Sequence, residues 1–498
     1  MDSSGIDTPT VPPANKIAIK LLASMCFFLL LGTWLSVPYG AGPDMDYHMA
    51  SIWCAWGEKP DICENAEFTE QDPTAQFRNN ASAEVPFMFQ LCDNRNIDFW
   101  PYCEVETERP ETQRLRMAPP EHMSLYYKVA HTFVGDGISQ SVLRIRLMNN
   151  LIASAVLFLL LTITTKRIAF ASLVGFTFTL IPNGVQILSG VTTRAWAVLG
   201  VMSSWAFFAS YLSTDRSNRS LRTSQLIATM FTFLLALSAR LDAAAMVAIT
   251  LIVVYAAHLL RNRVLTTRQI AISLLGASGL WLVLRQIPML YEFVSVYVPS
   301  NYSARQYLLF QIVHLPEFVA DWWGYRIGQQ GNGPGIVGLI GVVLFFVNLA
   351  FALVKSSKQQ RFITTGFAVI ICALLFKSTA WTGSIVPLTG IYTLGMALPW
   401  LGLTVQHSSK SIQFMSSPGH RKISIFFLSF AHMVTFYSLI EFYTMQGKNV
   451  GYFESLTLNG TWWWNMPIGP NFVFLAGAIL FPAFLTLAWK SIDLQLPE

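Results

Sequence analysis

The sequence predicts an all-α, polytopic integral membrane protein, and three observations predict it. Charged residues fill only 12% of the 498 positions while 53% are hydrophobic, against about 25% charged in soluble domains. The apolar residues gather into runs close to the roughly 20 residues a helix needs to cross a bilayer. Basic residues recur in alternate connections between those runs, the signature of the positive-inside rule. A mean hydropathy of +0.45 agrees. The net charge of +5 is dispersed along the chain, so it gives no nucleic-acid signal.

Taken in order, the runs are Ile17–Val37, Leu147–Thr165, Ile168–Leu188, Ala195–Leu212, Ser224–Ala239, Ala243–Leu260, Ile270–Leu290, Ile336–Val354, Phe362–Phe376, Ile385–Val405, Ile423–Phe442 and Asn471–Trp489, about 12 transmembrane helices. The first is too long for the apolar region of a signal peptide, about 7–15 residues, and ends without a cleavage signal. Arg222 before Ser224 and Arg261 and Arg263 after Leu260 split the intervening stretch into two crossings. Lys166 and Arg167, then Arg216 and Arg219, Lys355 and Lys358, and Arg421 and Lys422 mark the cytoplasmic loops. Both termini then lie in the cytoplasm. The expected organisation is a tail over 1–16, a first helix over 17–38, an extracytoplasmic subdomain over 39–146, a helical bundle over 147–489 with outer loops 291–335 and 443–470, and a tail over 490–498.

The outer side carries the large loops, and loops on a rigid scaffold carry chemistry. Cys54, Cys63, Cys92 and Cys103 all fall in the first outer loop. Four cysteines facing an oxidising space predict two disulfides, with Cys54–Cys63 and Cys92–Cys103 the favoured pairs. The alternative, a four-thiolate zinc site, lacks any C-x-x-C spacing. Cys26 and Cys372 sit inside apolar runs.

Pro43-Asp44-Met45-Asp46-Tyr47-His48 directly follows the first run. Carboxylates at that depth lose hydration and need a partner, a metal or a substrate. Asp44 or Asp46 suits a general base for an acceptor hydroxyl. Asp44, Asp46 and His48 together also make a ligand set for a hard divalent cation such as Mg or Mn. The competing reading is that Asp44 caps the next helix. Glu121 and His122, after Pro119-Pro120, read as a second acidic point in a helix's first turn, with capping electrostatics the alternative. Arg144, Arg146, Arg194 and Arg240 stand at outer helix ends. A guanidinium there snorkels to headgroups or grips a phosphate bidentately. Arg240 with Asp242 interrupts an apolar hairpin, where charge is costly and serves either a site or an internal ion pair.

A long first outer loop, acids just after the first span and short inner loops resemble the GT-C class of membrane glycosyltransferases. The motifs are similar to those of a bacterial family of polytopic membrane proteins of unknown function within that superfamily. Its members commonly read Pro-Pro-Asp-Glu-x-x-His after the first span, where this chain has Gly42-Pro43-Asp44-Met45-Asp46-Tyr47-His48. A Pro-Pro-x-x-Tyr-Tyr stretch resembles Pro119 to Tyr127, and Arg-Leu-x-Asn resembles Arg146-Leu147-Met148-Asn149. A late Gly-Arg-Tyr-x-x-Pro motif is similar to Gly390-Ile391-Tyr392. Met45 departs from the family's acid and Ile391 from its arginine.

The resemblance implies transfer of a sugar from a polyprenyl-phosphate donor to an envelope glycan or lipid acceptor, outside the cytoplasmic (inner) membrane. It implies Asp44 as base with Asp46 assisting. His48, Glu121, His122 and Tyr392 would line the substrate cleft, and Arg240, with Arg194 or Arg144, would hold the donor phosphate. A transporter or flippase for lipid-linked saccharides, or a non-catalytic relative that binds such glycans, are the alternative expectations.

Overall fold

The computed structural model of the chain describes residues 14–37, 45–56, 63–65, 81–86, 112–117, 124–135, 138–179, 183–261, 306, 309, 313, 326–327, 331–332, 335–358, 360–361, 363–368, 394–406, 408–444 and 468–492. The described helices are α1 (Ala14–Thr33), α2 (Met45–Trp53), α3 (Leu125–His131), α4 (Ile138–Ile163), α5 (Lys166–Thr179), α6 (Asn183–Leu188), α7 (Thr193–Ser213), α8 (Arg219–Ala239), α9 (Leu241–Arg261), α10 (Gly335–Val354), α11 (Leu394–Gln406), α12 (Ser409–Ser416), α13 (Pro418–Thr444) and α14 (Pro470–Ser491). Between α2 and α3 lie three short strands, β1 (Cys63–Asn65), β2 (Ala81–Pro86) and β3 (Thr112–Met117), in one antiparallel sheet of that order. Cys63 pairs with Ala83, and Glu84 with Arg114. A two-residue ladder joins β4 (Arg326–Ile327) to β5 (Gly331–Asn332). The chain is thus mostly helical, and the segment between its first two long helices adds a small sheet that the sequence pattern did not announce.

Eight described helices are long and apolar enough to cross a membrane: Lys16–Ser36, Gln140–Ile163, Thr193–Ser213, Arg219–Ala239, Ala243–Leu260, Ile336–Val354, Pro418–Glu441 and Pro470–Ser491. Each overlaps a run expected from the sequence. The remaining runs fare differently. Ile168–Leu188 is not one long helix: α5 closes at Thr179 and a separate helix, α6, opens at Asn183. Pro182 has no N–H to give and disfavours a helical residue before it. Of Ile385–Val405 the structure describes only α11, of Phe362–Phe376 only its first part, and Ile270–Leu290 lies outside the described residues. The second span starts earlier than expected, so Arg144 and Arg146 belong to α4 rather than to the preceding loop.

Burial follows from which face meets protein. On α1, Ala23, Phe27, Leu30, Leu31 and Trp34 are buried, while Leu21, Leu22, Met25 and Leu29 point outward. Outward apolar rows also run along α8, α10, α13 and α14. Soluble proteins rarely expose apolar patches of such extent, but hydrocarbon accepts them. The chain is a multi-pass membrane protein. At its centre stands α7, with 83% of its span buried, against α8, α9, α4, α5 and α11. Close approach there depends on small residues, as between helices in lipid. A Cβ on Gly200 of α7 would stand 2.6 Å from the Thr232 carbonyl oxygen and 2.8 Å from the Ala236 Cβ on α8. Likewise Gly477 of α14 lets the Phe436 ring of α13 approach.

Candidate functional site

The corner that follows α1 is built around Arg146. A single 3₁₀ turn, Trp34–Ser36, ends the first span, and Val37 leaves it extended. Helix ends leave carbonyls without intrahelical partners. Arg146, one of the most buried charged residues on α4, reaches them. Its Nη2 donates to the Trp34 carbonyl at 2.7 Å and its Nη1 to that of Val37 at 2.8 Å, with a longer 3.4 Å contact to Leu35. Its Nε donates to the Ser189 carbonyl just after α6 at 2.7 Å. The rigid guanidinium fork thereby fixes where α1 stops relative to α4 and α6.

Three positions on along α4, Asn149 serves a second junction. Its Nδ2 donates to the Gly190 carbonyl at 2.8 Å and to the Tyr126 hydroxyl at 3.2 Å, and its Oδ1 accepts from the Trp196 indole N–H at 3.0 Å. Tyr126 and Trp196 meet edge to face. Asn149 therefore joins α3, the α6–α7 turn and α7. Its neighbour Asn150, fully buried, has no hydrogen-bond partner for either end of its amide among the described residues.

On this frame sits His48. Its residue is 4% exposed. Nδ1 lies 2.8 Å from the Tyr127 hydroxyl of α3 and Nε2 lies 3.0 Å from Thr192 Oγ1. Thr192 is the N-cap of α7 and also accepts from the Arg194 backbone N–H. Burial pushes the Tyr127 phenol well above its usual range, with Tyr47 adding to the rise and the Arg240 charge pulling back. The phenol therefore keeps its proton at neutral pH. Either neutral tautomer pairs both nitrogens: Tyr127 donates to Nδ1 while Nε2–H donates to Thr192, or Nδ1–H donates to Tyr127 while the Thr192 hydroxyl donates to Nε2. A second tie reinforces α2 on α3, where His131 Nδ1–H donates to the Ile52 carbonyl at 2.9 Å. The helix that begins directly after Asp44 is thus pinned from two sides.

Of the residues predicted from sequence, the structure gathers three at this corner. His48 is at its centre, Arg194 is buried in the first turn of α7, and Arg240, the C-cap of α8, is near enough to act on the Tyr127 phenol. Arg144 is exposed on α4. Asp46 lies in the first turn of α2, but its side chain is outside the described residues, as are Asp44, Glu121, His122 and Tyr392. Of the cation ligand set Asp44, Asp46 and His48, only the His48 side chain is among the described residues, and both its ring nitrogens have hydroxyl partners. Among the described residues no three His, Cys, Asp or Glu side chains gather as a metal site. Cys54 is disulfide-bonded. Cys63 lies on β1 with its side chain outside the described residues, as are Cys92 and Cys103, and Cys26 is a buried free thiol.

Sequence reasoning missed Tyr127 and Thr192 as the partners of His48, and Arg146 and Asn149 as the hubs beneath them. The signals existed. Arg146 and Asn149 stand at i, i+3 on one helix face, and Thr192 precedes an apolar helix as an N-cap should.

All of these residues fall within one stretch, residues 27–304, that matches the model of a family described as "predicted membrane protein (DUF2142)". The match covers more than half of the chain. The chain belongs to this family. No curated protein and no solved structure matches it. The family match begins within α1 and takes in the Arg146, Asn149 and His48 networks, Arg194 and Arg240, but stops before Tyr392.

Proposed function

We propose that this family member is a GT-C-type glycosyltransferase of the inner membrane. It moves a sugar from a polyprenyl-phosphate donor to an envelope glycan or lipid acceptor on the outer side. The observation that carries the reading is the doubly held His48: a short helix starting directly after Asp44 is locked to α3 and α7 at the end of the first span. Such locking is what a base needs if it is to stay within hydrogen-bond reach of one acceptor hydroxyl. In the proposed reaction Asp44 takes the proton of that hydroxyl as its oxygen bonds to the anomeric carbon. The bond from that carbon to the phosphate oxygen breaks, and polyprenyl phosphate leaves with the electron pair. Arg240 and Arg194 hold the negative charge that develops on it. With the leaving group stabilised by guanidinium groups, the step does not require a metal.

The same proposal includes about 12 spans, both termini in the cytoplasm, the site facing outward and a second disulfide in the first outer loop. The basic residues in alternate connections between the apolar runs support that orientation. The test presents membranes holding the full chain or its Asp44→Asn variant with radiolabelled polyprenyl-phosphate sugars and envelope acceptors. Transfer lost in a variant that still elutes as a folded species supports the reading, whereas full transfer by the variant removes Asp44 as base. Donor binding without transfer by the natural chain would favour a non-catalytic binding role, and flux without bond cleavage a flippase.

A further inference from the structure

Away from that corner, α13 and α14 run side by side and leave a groove of about 660 Å³ between them. Residues from Arg421 to Met433 line it on α13 at helical spacing, and Ala478, Pro482 and Thr486 line it on α14. The lining from Arg421 to Met433 rises about 18 Å at 1.5 Å per residue, close to half of the roughly 30 Å hydrocarbon core. The groove therefore has the length of one leaflet. Its walls are mostly apolar, but one end is cationic. Arg421 and Lys422 stand at that end. The Arg421 guanidinium lies 5.6 Å over the Trp489 ring, which fixes its height at the mouth. Partway down the wall the Ser429 hydroxyl is buried without a hydrogen-bond partner among the described residues.

We infer that this groove seats an acyl chain of an anionic phospholipid, with the lipid phosphate against Arg421 and Lys422. Basic residues at the mouth of an apolar cleft between membrane helices complement an anionic headgroup whose tails lie in the cleft. A zwitterionic lipid offers the same tails but carries a cation that the mouth repels. The site is separate from the His48 corner and does not depend on the proposed transfer reaction.

The test is native mass spectrometry of the detergent-purified full chain, titrated with phosphatidylglycerol or with phosphatidylcholine of the same acyl chains. Two interfacial cations at about fivefold each give a preference of roughly thirtyfold for phosphatidylglycerol in the first adduct. R421Q/K422Q should bring the two lipids level. S429F, which fills the groove and leaves the cations in place, should weaken the first phosphatidylglycerol adduct about tenfold or more. Equal binding of the two lipids by the natural chain overturns the inference, as does a preference that survives in R421Q/K422Q. Undiminished binding in S429F overturns it too, and that variant decides the matter if the double variant does not fold.

Discussion

Arg146→Met tests whether the corner after α1 is held as described. Methionine keeps the length and apolar stem of the side chain but removes the fork. Two carbonyls, those of Val37 and Ser189, then lose their donors at 2.7–2.8 Å, while the Trp34 carbonyl loses one at 2.7 Å and keeps the Val37 N–H at 3.1 Å. Each buried acceptor left unsatisfied costs about 1–3 kcal/mol. Against that, the natural chain pays for keeping a guanidinium out of water, and this cost disappears with the charge. Local relaxation at the end of α1 recovers part of the rest. The net expectation is a loss of about 4 kcal/mol, toward the upper end for single substitutions. In detergent this should appear as a fall of about 10 °C in apparent melting temperature, read from thiol-reactive dye uptake. Arg146→Lys should lie between, because an ammonium can serve one or two of the carbonyls but lacks the planar spacing for all three. A Met variant that melts within about 2 °C of the natural chain would refute the assignment of Arg146 as the clamp on α1.

Other perturbations have definite expected outcomes. His48→Phe fills the same space but removes one hydrogen bond from each of the Tyr127 and Thr192 hydroxyls, and should cost about 2 kcal/mol in detergent stability; His48→Gln, which restores one bond, should recover about half. Gly200→Val places methyl groups against the Thr232 carbonyl and Ala236 Cβ, and overpacking of that kind should cost about 2 kcal/mol, seen as lower yield of folded protein. Burial raises both Tyr126 and Tyr127 above the ordinary phenol value. A raised folded value means that their contribution is complete below about pH 10, where an unfolded tyrosine titrates, and is lost as pH climbs through the folded values. Stability measured against pH should therefore fall on the alkaline side, and Tyr126→Phe/Tyr127→Phe should flatten that fall.

How much of this was legible in the sequence differs from level to level, for physical reasons. Long apolar runs are read well because lipid demands that a spanning segment satisfy its own backbone, so each of the eight described membrane helices lies over a run seen beforehand. Interruptions are read less well. α5 and α6 are separate helices, and the sequence between them differs from an apolar run by little more than Pro182, a signal that averaging over a window hides. The small sheet between α2 and α3 was hidden for another reason: its strands are three to six residues long, and their partners lie far along the chain. At the site, His48 was found because an imidazole beside two acids is conspicuous. Arg146 was read instead as an outer-end cation, since sequence gives depth only to within a turn and a buried arginine and a snorkelling one look alike. Arg144, two residues earlier, is the exposed one. Thr192 and Tyr127 could not be paired with His48 from sequence, because hydrogen bonds between residues 79 and 144 apart leave no local pattern.

Asn150 separates structural from functional explanation at this corner. Beside it, Asn149 uses both ends of its amide to bind three partners, and those bonds account for its burial. Asn150 is equally buried yet has no partner at either Nδ2 or Oδ1 among the described residues. A buried amide without hydrogen bonds costs about 1–3 kcal/mol on protein scales, so if Asn150 serves packing alone, Asn150→Leu should raise stability by about 1 kcal/mol after the change of shape is absorbed. An amide that instead holds an internal water or a bound polar group gives the opposite sign, because leucine would strand that partner. The two cases differ again when substrate is supplied. Thermal shift on adding polyprenyl phosphate should survive Asn150→Leu if the residue is only a poorly placed core side chain. A variant that is more stable without the lipid phosphate, but no longer stabilised by it, would place Asn150 in the binding cleft that the Arg194 and Arg240 guanidinium groups are proposed to share.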